Sequence, residues 1–452
     1  MKVIIAGDGK VGSRLTKQLT EEGYDVTLID KNPKTLQASV DTYDVMAVNG
    51  NCASMDVLND AGIKDADMLI AATGADELNL LSCITASGLN PSIHTIARIR
   101  NPEYTDQVHQ MRNLFSLSHT FNPERQAARE IERLLEYPGF MKLDTFARGL
   151  VEIVELRIDK DSKLNNVPLV KLDSIVNCRI LVCSVLRNGK AFAPSGNFVL
   201  EEGDRIFVTA PTSELSTLLN NLGFISKKVN RVMLVGGSRI SHYLITLLLR
   251  NKINVYVIEK DLAKCEELAE KFPKATVIHG DGSNLTFLRN QGLTLCDALV
   301  ALTNYDEMNM VISLYAKSSG VPLVITKVSN INTAELPKEL NIGSIISPKE
   351  LCCDNIVRYV RAVRNQAGAA VAIHDIADGQ AEAIEFTVDE STLHVGEKLK
   401  DIRLKNNILI SCISHGNRIE IPNGDSSFNV GDSVIIVTNG DSVLYQLNDI
   451  FA

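Results

Sequence analysis

The chain contains 452 residues, 45% of them hydrophobic and 22% charged, and its formal net charge is −9 at pH 7. This length predicts about three or four domains, and the acidic balance argues against a nucleic-acid partner. No apolar run reaches the roughly 18 to 20 residues that cross a bilayer, and the nine cysteines include no C-x-x-C pair. We therefore expect a cytoplasmic protein with reduced thiols.

The first predicted elements are a strand, a glycine-rich turn and a helix. The apolar run at 3–6 is followed by Gly7, Gly9 and Gly12 in the order G-x-G-x-x-G, and leucines then recur at helical spacing. Gly7 would permit the turn, Gly9 the close approach of a pyrophosphate, and Gly12 the tight packing of helix on strand. The N–H groups of the helix N-terminus would bind the phosphates, so this stretch predicts a dinucleotide site.

The next predicted strand, DVTLID, ends in an acidic residue. Asp30 stands eighteen residues after Gly12, where dinucleotide-binding folds place the carboxylate that accepts hydrogen bonds from the adenosine ribose. A carboxylate would repel a 2′-phosphate, so the sequence favours NAD(H) over NADP(H). The alternative is a glycine-rich turn of an ordinary α/β protein.

The second half of the chain repeats the first. RVMLVGGSRISHYLITLL, from Arg231, restates the opening stretch, and NVYVIE, ending at Glu259, restates DVTLID. Residues 278–309 match residues 48–79, and the offset is 229 at the acid and 230 at the pair Gly50 and Gly280. This nearly constant offset indicates the duplication of a whole unit.

A β-rich module follows each nucleotide fold. Strands are predicted at 152–158, 179–192 and 203–210, with copies at 384–388, 408–421 and 431–438. Asn188-Gly189 and Gly416-Asn417 mark a hairpin turn in each copy. A short amphipathic helix is expected after residue 212.

Two further helices are predicted at the joints between modules. Asn122-Pro123 and Ser347-Pro348 each place a cap residue before a proline at the first helical position. Each helix carries an apolar stripe, which could pack on its own domain or serve in assembly contacts.

These elements predict an α/β fold class: two Rossmann-like domains with doubly wound parallel sheets, each followed by a small β-rich α+β domain, as a tandem duplication. We place the four domains at 1–139, 140–225, 230–366 and 367–452. The nucleotide folds would be the first and the third.

In this four-part order the chain resembles the peripheral regulatory subunits of bacterial Trk-type potassium uptake systems, the TrkA family, which are built from tandem regulator-of-potassium-conductance (RCK) modules. The resemblance covers essentially the whole chain and rests on MKVIIAGDGKVGSRL, AATGADELNLL, IARIRNPEY and both C-terminal modules. It implies RCK N-terminal domains at 1–139 and 230–366, and RCK C-terminal domains at 140–225 and 367–452.

The resemblance also implies a function. Such a subunit would be cytoplasmic, peripheral on the inner face of the cell membrane, and assembled as a homotetramer ring docked on a membrane potassium-translocating subunit. NAD(H) would bind the first module, an adenine nucleotide (ATP, ADP or NAD) could bind the second, and the bound ligand would alter transport. A regulator of a different cation channel or antiporter stays open as an alternative.

Carried over position by position, the first site combines the glycine-rich turn with the loops that follow the parallel strands. Its residues are Gly7, Asp8, Gly9, Lys10, Val11 and Gly12 around the phosphates, Asp30 at the ribose, and Asn51, Cys52, Thr73, Gly74 and Arg98 in the later loops. Structural alternatives exist for Cys52 as core filler, Thr73 as a helix cap and Arg98 as a solvated charge. Their shared place at strand C-termini favours a site.

The second site departs from the glycine pattern. Ser241 replaces the packing glycine, which would hold helix and strand apart, and Ser238 adds a side chain where phosphate should approach. The residues expected at this site are Gly236, Ser238, Arg239, Glu259, Asp281, Thr303 and Lys327, the last in the position of Arg98. Both a bound nucleotide and a structural copy kept for ring assembly are consistent with this sequence.

An NAD-dependent dehydrogenase is the rival interpretation, but it needs a substrate domain that brings an acid or base to the nicotinamide. The eight histidines are scattered without metal-ligand or catalytic spacing, and no P-loop occurs. Asp76-Glu77 and Asp306-Glu307 recur in both halves and are better explained as acids at helix N-termini than as catalytic pairs. We therefore predict a nucleotide sensor that is not an enzyme and has no metal site.

Overall fold

The computed structural model describes residues 1–110, 114–222, 229–329, 343–364, 370–439, 444 and 446–452. They fall into two compact units, one made of Met1–Glu132 with Asn230–Val357 and the other of Arg133–Val229 with Arg358–Ala452. The expected domain limits at 225, 366 and 367 lie outside the described residues. Among the helices described, none has the length and apolar character needed to cross a bilayer.

The first module begins the chain with alternating strands and helices. Its strands are β1 (Lys2–Ala6), β2 (Asp25–Asp30), β3 (Met46–Asn49), β4 (Met68–Ala71), β5 (His94–Arg98) and β6 (His119–Phe121). Its helices are α1 (Lys10–Glu21), α2 (Pro33–Val40), α3 (Met55–Asp60), α4 (Asp76–Leu89), α5 (Pro102–Gln110) and α6 (Pro123–Glu136). All strand pairs are parallel, in the order β3-β2-β1-β4-β5-β6, so the order reverses between β1 and β4.

The two central strands of this sheet are buried on both faces. β1 and β4 read KVIIA and MLIA, and every residue of them except Lys2 is buried. Continuous apolar runs suit a parallel sheet that carries helices on both sides. Because the strands all run in one direction, their carboxyl ends meet at one edge, where ligands of such folds bind.

The second module is an antiparallel sheet. Its strands are β7 (Lys142–Phe146), β8 (Val151–Arg157), β9 (Leu181–Arg187), β10 (Lys190–Phe192) and β11 (Arg205–Pro211), and its helices are α7 (Leu172–Val176) and α8 (Leu215–Leu222). The strand order is β10-β9-β11-β8-β7. Pairing of β9 with β10 confirms the hairpin predicted at Asn188-Gly189, whereas β7 is a strand that the sequence pattern does not predict.

The third module repeats the first. Its strands are β12 (Arg231–Val235), β13 (Asn254–Glu259), β14 (Thr276–His279), β15 (Ala298–Ala301), β16 (Leu323–Lys327) and β17 (Ser344–Ile346). Its described helices are α9 (Arg239–Arg250), α10 (Leu262–Lys271), α11 (Leu285–Asn290), α12 (Asp306–Ser318) and α13 (Pro348–Arg364). The parallel order β14-β13-β12-β15-β16-β17 reproduces that of the first sheet.

The fourth module repeats the second. Its strands are β18 (Ala370–Ile376), β19 (Ala381–Thr387), β20 (Ile408–His415), β21 (Arg418–Glu420) and β22 (Ser433–Asn439), in the antiparallel order β18-β19-β22-β20-β21. The predicted fold class is therefore confirmed: two Rossmann-like parallel sheets, each followed by an antiparallel β-rich domain, in a tandem duplication.

The two β-rich modules share an apolar core within the second unit. Phe146 and Phe207 of the second module and Ile435 of the fourth belong to the same buried cluster. Polar bonds also cross between these modules, since the buried Ser184 hydroxyl donates to Asn439 Oδ1 at 2.7 Å. Each module therefore depends on the other to cover its inner face.

The helices predicted at the joints are present as α6 and α13. Within the first unit, Asn251, which directly follows α9, donates from Nδ2 to Glu132 Oε1 of α6 at 2.7 Å. Likewise α1 bonds to α13 through Gln18 Nε2, which donates to Asp354 Oδ1 at 3.4 Å. Each joint helix thus contacts the other Rossmann module of the same chain, and its part in assembly stays a prediction.

Candidate functional site

A cavity of about 1580 Å³ lies in the first unit, at the carboxyl ends of both parallel sheets. Its lining includes the predicted residues Gly7, Gly9, Lys10, Val11, Asp30, Cys52, Thr73, Gly74 and Arg98 of the first site and Gly236, Ser238, Arg239, Glu259, Asp281, Thr303 and Lys327 of the second. Three predicted residues are not part of this lining: Asp8, Gly12 and Asn51. The structure therefore brings both predicted sites to a single cavity.

The first glycine-rich turn has the geometry that its spacing predicts. Gly7 has φ +102°, and a Cβ on Gly12 would stand 1.8 Å from the Gly7 carbonyl oxygen, so the start of α1 packs directly on the turn. Gly9 differs, because a Cβ there would meet no atom within 4 Å. Its open side is available to a ligand at the N-terminus of α1, where backbone N–H groups attract phosphate.

The acid at the end of the second strand holds the glycine-rich turn in each Rossmann module. Asp30 Oδ2 accepts the N–H of Asp8 at 2.7 Å, and its Oδ1 accepts that of Asn32 at 2.8 Å. Glu259 does the same in the third module, accepting from Gly237 at 2.6 Å and from Asp261 at 2.9 Å. A carboxylate has further lone pairs for ribose hydroxyls. Assigning Asp30 to the ligand alone is therefore incomplete, because it also supports the turn.

A buried polar pair lies under the first turn and is replaced in the second. Asp8 is 2% exposed and accepts a hydrogen bond from the Ser39 hydroxyl at 2.7 Å, while burial raises the pKa of its carboxyl. The matching residues of the third module are Gly237 and Leu268, where a Cβ on the glycine would stand 2.8 Å from Leu268 Cδ1. Asp8 is thus a supporting residue behind the cavity, and aligning the two copies at both positions would have revealed the exchange.

A buried asparagine joins the ends of two strands in each copy. Asn79 is fully buried; its Oδ1 accepts the Thr73 hydroxyl at 2.7 Å, and its Nδ2 donates to the Arg98 carbonyl at 2.9 Å. In the third module Asn309 binds the Thr303 hydroxyl at 2.6 Å and the Lys327 carbonyl at 3.0 Å. Thr73 is not the helix cap, because Ala75 holds that position at the start of α4. The sequence prediction missed these asparagines, although both copies carry one.

Two largely buried cations line the cavity at the ends of β5 and β16. The Arg98 guanidinium donates to the Thr73 carbonyl, while its Nε is buried and makes no hydrogen bond within the described part of the chain. Lys327 is 7% exposed, and burial lowers its pKa. Placing cations in such surroundings is costly unless an anion compensates them. This site is therefore suited to an anionic ligand.

The loops after the third strands behave differently in the two copies. Cys52 is 4% exposed, its sulfur accepts the Ser82 hydroxyl at 3.2 Å, and burial raises its pKa, so it is a packed thiol at the cavity edge. Asn51 is not part of the cavity lining, and its Oδ1 accepts the Ala53 N–H at 3.4 Å. Its counterpart Asp281 does line the cavity. Asn51 is therefore a turn residue in this structure.

The serines of the second glycine-rich turn cap their own helix. Ser238 Oγ accepts the Ser241 N–H at 3.4 Å, and Ser241 Oγ accepts the Ser238 N–H at 3.2 Å. Ser241 Oγ also donates to the carbonyl of Gly236, the residue that corresponds to Gly7. The N-terminus of α9 therefore satisfies part of its own hydrogen-bonding capacity. The N-terminus of α1 has no side-chain cap of this kind.

The paired acids begin helices and bind the next loop. Asp76 starts α4, and its Oδ2 accepts the N–H groups of Arg100 and Asn101 at 2.8 and 2.7 Å. Asp306 starts α12 and accepts the Ser329 N–H at 2.9 Å. These positions agree with the predicted helix-terminal role.

Comparison with known proteins adds to this geometry. The TrkA-N domain family matches residues 3–118 and 232–348, and the TrkA-C domain family matches residues 153–223 and 383–451. A Trk system potassium uptake protein TrkA homolog of Archaeoglobus fulgidus is 30% identical over 451 residues, which cover 100% of both chains. The Trk system potassium uptake protein TrkA of Haemophilus influenzae is 31% identical, over 100% of this chain and 98% of its own.

Solved structures share the architecture. The GsuK RCK domain has a TM-score of 0.62 at 15% identity, covering 97% of this chain and 92% of its own. A GsuK channel bound to NAD also has a TM-score of 0.62, at 16% identity, over 97% of this chain and 76% of its own. At this identity the likeness shows the fold of tandem RCK modules.

Proposed function

Because this chain belongs to the TrkA family of Trk-system potassium uptake proteins, we propose that it is a regulatory subunit of potassium transport whose first Rossmann module senses NAD(H). Binding there would gate a membrane potassium-translocating subunit. The observation that carries the proposal is the cavity at the strand ends, where a glycine-rich turn, an acid and largely buried cations come together.

The first site would hold the dinucleotide by its charges. The pyrophosphate would lie against Gly9 and the N-terminus of α1, because this side of the turn is open and helix N-termini attract phosphate. Lys10 and Arg98 line the same region and would add positive charge. The hydroxyls of the adenosine ribose would donate hydrogen bonds to the remaining lone pairs of the Asp30 carboxylate. Gly74, Val11, Cys52 and Thr73 would complete the wall.

The second site would take an adenine nucleotide: ATP, ADP or NAD. Glu259 occupies the ribose position and is anchored in the same way as Asp30. The remaining contacts would come from the cavity-lining residues Gly236, Ser238, Arg239, Asp281, Thr303 and Lys327. A neutral turn glycine replaces Asp8 here, so one acid fewer lies behind the phosphates.

The assembly we propose is a homotetramer ring on the cytoplasmic face of the membrane, with RCK domains at 1–139, 140–225, 230–366 and 367–452. Its support is the duplicated architecture together with the relatives, which are named as potassium uptake proteins. A closed ring would sum small rotations of its subunits at a central pore.

Ligand control would work by population shift. A nucleotide moves a gate only by binding one conformation of the ring more tightly than the other, and by no more than that difference in free energy. The cofactor would therefore act without being consumed, and we propose no catalytic step.

The test is potassium flux through the reconstituted membrane partner, with this protein added and NAD⁺, NADH, ATP and ADP titrated in turn. We expect flux to depend on nucleotide only when this protein is present. NADH absorbance should stay constant with hydroxy acids, aldehydes and quinones. A potassium flux that does not change with any nucleotide would contradict the proposed sensor role, and steady NADH consumption would support the dehydrogenase interpretation.

A further inference from the structure

Tyr305 is an aromatic residue of the cavity lining that has no counterpart at the first site. Its side chain is 64% exposed and lines the cavity where β15 passes into α12. Its N–H donates to Thr303 Oγ1 at 3.3 Å, which fixes the backbone below the ring. The matching residue of the first module is Ala75, which follows Thr73 as Tyr305 follows Thr303.

Lys260 places this ring beside the ribose position of the second site. It directly follows Glu259, and its Nζ lies 5.9 Å from the centroid of the Tyr305 ring. All three residues line the cavity. The ring therefore faces the same cavity as the carboxylate that would hold the ribose, and it lies near the side chain of that carboxylate's neighbour in sequence.

The phosphate side of the second site offers less than that of the first. Ser238 and Ser241 hydrogen-bond to each other's N–H groups at the N-terminus of α9, so those groups are already satisfied. A ligand at this site therefore gains less from these two N–H groups than it would at an uncapped helix N-terminus.

We propose that Tyr305 is the stacking platform for an adenine base in the second site, with the attached ribose on Glu259, so that this site recognises its ligand mainly through the base. The inference rests on the proposed function, because it takes the cavity to be a nucleotide site. Aromatic side chains stack on nucleobases through the face of the ring, and this contact needs no hydrogen bond to the base edge. The first site, with Ala75, relies on its phosphate contacts.

The chain contains no tryptophan, so Tyr305→Trp introduces a single fluorescent reporter at the proposed contact. We expect ADP to quench this fluorescence, because the base stacks on the indole, and inorganic pyrophosphate to leave it unchanged. ADP is the chosen probe since, unlike NADH, it does not absorb where tryptophan emits. The matched control is Ala75→Trp, which places the same reporter at the first site.

Calorimetry on the full chain supplies the second measurement. Tyr305→Ala should weaken one class of ADP site by roughly 5- to 150-fold, the range expected for a lost base–aromatic stack, and leave the other class unchanged. Tyr305→Phe should bind ADP like the wild type, because it keeps the ring and loses only the hydroxyl. A similar loss in Tyr305→Phe would overturn the stacking role.

The outcomes separate this inference from the proposed function. If Ala75→Trp responds to ADP or NAD⁺ while Tyr305→Trp does not, the sensor stands and the stacking platform is wrong. If pyrophosphate quenches the Tyr305→Trp fluorescence as strongly as ADP does, the site recognises its ligand through the phosphates and the inference is again wrong. If neither reporter responds and the wild type binds no nucleotide, the proposed function fails and the inference with it.

Discussion

At the scale of single residues, Asp30 supports the fold through its carboxylate and would bind the proposed ligand through other lone pairs of the same group. Its oxygens accept the N–H groups of Asp8 and Asn32 and keep further acceptor capacity for a ribose. Spacing from the glycine-rich turn is enough to predict the ligand role. The bonds to the turn are not predictable in this way, because almost every residue type has a backbone N–H, so the sequence does not show which of them is a partner.

Asp30→Ala should reduce NAD(H) affinity by roughly 10- to 150-fold, the equivalent of about 1.5–3 kcal/mol for a lost hydrogen bond to a charged group. Calorimetry on the full chain measures this, with Asp25→Ala at the exposed start of the same strand as the matched control. The wild type should bind NADP(H) more weakly than NAD(H), and Asp30→Asn should narrow the difference. Equal affinity in the wild type and Asp30→Ala would refute the ribose assignment.

His242 provides a pH dependence with a defined sign. Burial lowers its pKa from 6.5 to about 4, with the charge of Lys271 adding to the effect, and its ring packs edge-on against Phe272 at 4.9 Å between centroids. Because the folded protein favours the neutral ring, this stabilisation is complete above the unfolded pKa and is lost as pH falls from 6.5 toward 4.

We therefore expect acidification to lower the thermal unfolding midpoint of the wild type more than that of His242→Phe, whose apolar ring does not titrate. Calorimetric scans of both proteins at about pH 7 and about pH 5 would measure the difference. Equal decreases in the unfolding midpoint of the two proteins would show that His242 does not titrate between these two pH values.

At the scale of elements, the two helix N-termini at the cavity solve one packing problem differently. α1 packs closely on its turn because Gly12 has no side chain, whereas α9 carries Ser241, whose hydroxyl donates to the turn carbonyl. In the first arrangement no side chain caps the helix N-terminus. The second consumes part of its hydrogen-bonding capacity.

Gly9→Ala and Gly12→Ala should therefore have separable effects. A methyl group on Gly9 meets no protein atom within 4 Å, so the fold should keep its stability while NAD(H) binding weakens. On Gly12 the methyl group would collide with the Gly7 carbonyl, so the free energy of unfolding should fall by about 1–3 kcal/mol and binding should fall with it. Denaturant unfolding and calorimetry measure both. The control is Gly88→Ala in α4, which also lies in open space and is not part of the cavity lining.

Equal stability of these two glycine variants would contradict the packing role given to Gly12.

Much of this architecture is predictable from residue patterns, and the exceptions share a physical cause. The glycine spacing, the terminal acids and the apolar strands are local signals, so both Rossmann modules and the hairpins follow from them. β7 and β18 are not predicted, because each is an edge strand whose identity depends on its neighbour in the sheet. The Asp8–Ser39 pair and Asn79 are also missed, since their partners lie far away in sequence.

At the scale of the whole molecule, each compact unit draws on both halves of the chain. The duplicated halves are therefore partners in folding. The second unit makes this plain, because residues of both β-rich modules fill the same apolar cluster.

A fragment of residues 1–222 should therefore self-associate. It would expose the inner face that includes Phe146 and Phe207, and a second copy of the fragment offers a related face to cover it. Light scattering should give twice the fragment mass, and replacing Phe146 with Asp should lower it to the monomer mass. A monomeric wild-type fragment would show that the second module can cover its core alone.

The full chain should form a homotetramer, and Asp30→Ala should leave that mass unchanged, because the described hydrogen bonds of its carboxylate go only to the N–H groups of Asp8 and Asn32 in the same module. Light scattering measures the mass of the assembly, and potassium flux through the reconstituted transporter measures how strongly nucleotide regulates transport. We expect the NAD(H) response to weaken in Asp30→Ala. A monomeric wild type, or an undiminished response, would refute the regulatory ring.

Residues of both glycine-rich turns line the same cavity, and this has a consequence for the two proposed nucleotides. Two anions held in one cavity repel each other, and the repulsion is strongest where the walls exclude water. A nucleotide in one site would therefore weaken the binding of a nucleotide in the other, while cations such as Arg98 and Lys327 would offset part of the repulsion. Two ligands that oppose each other in this way would make the response of the chain depend on their ratio.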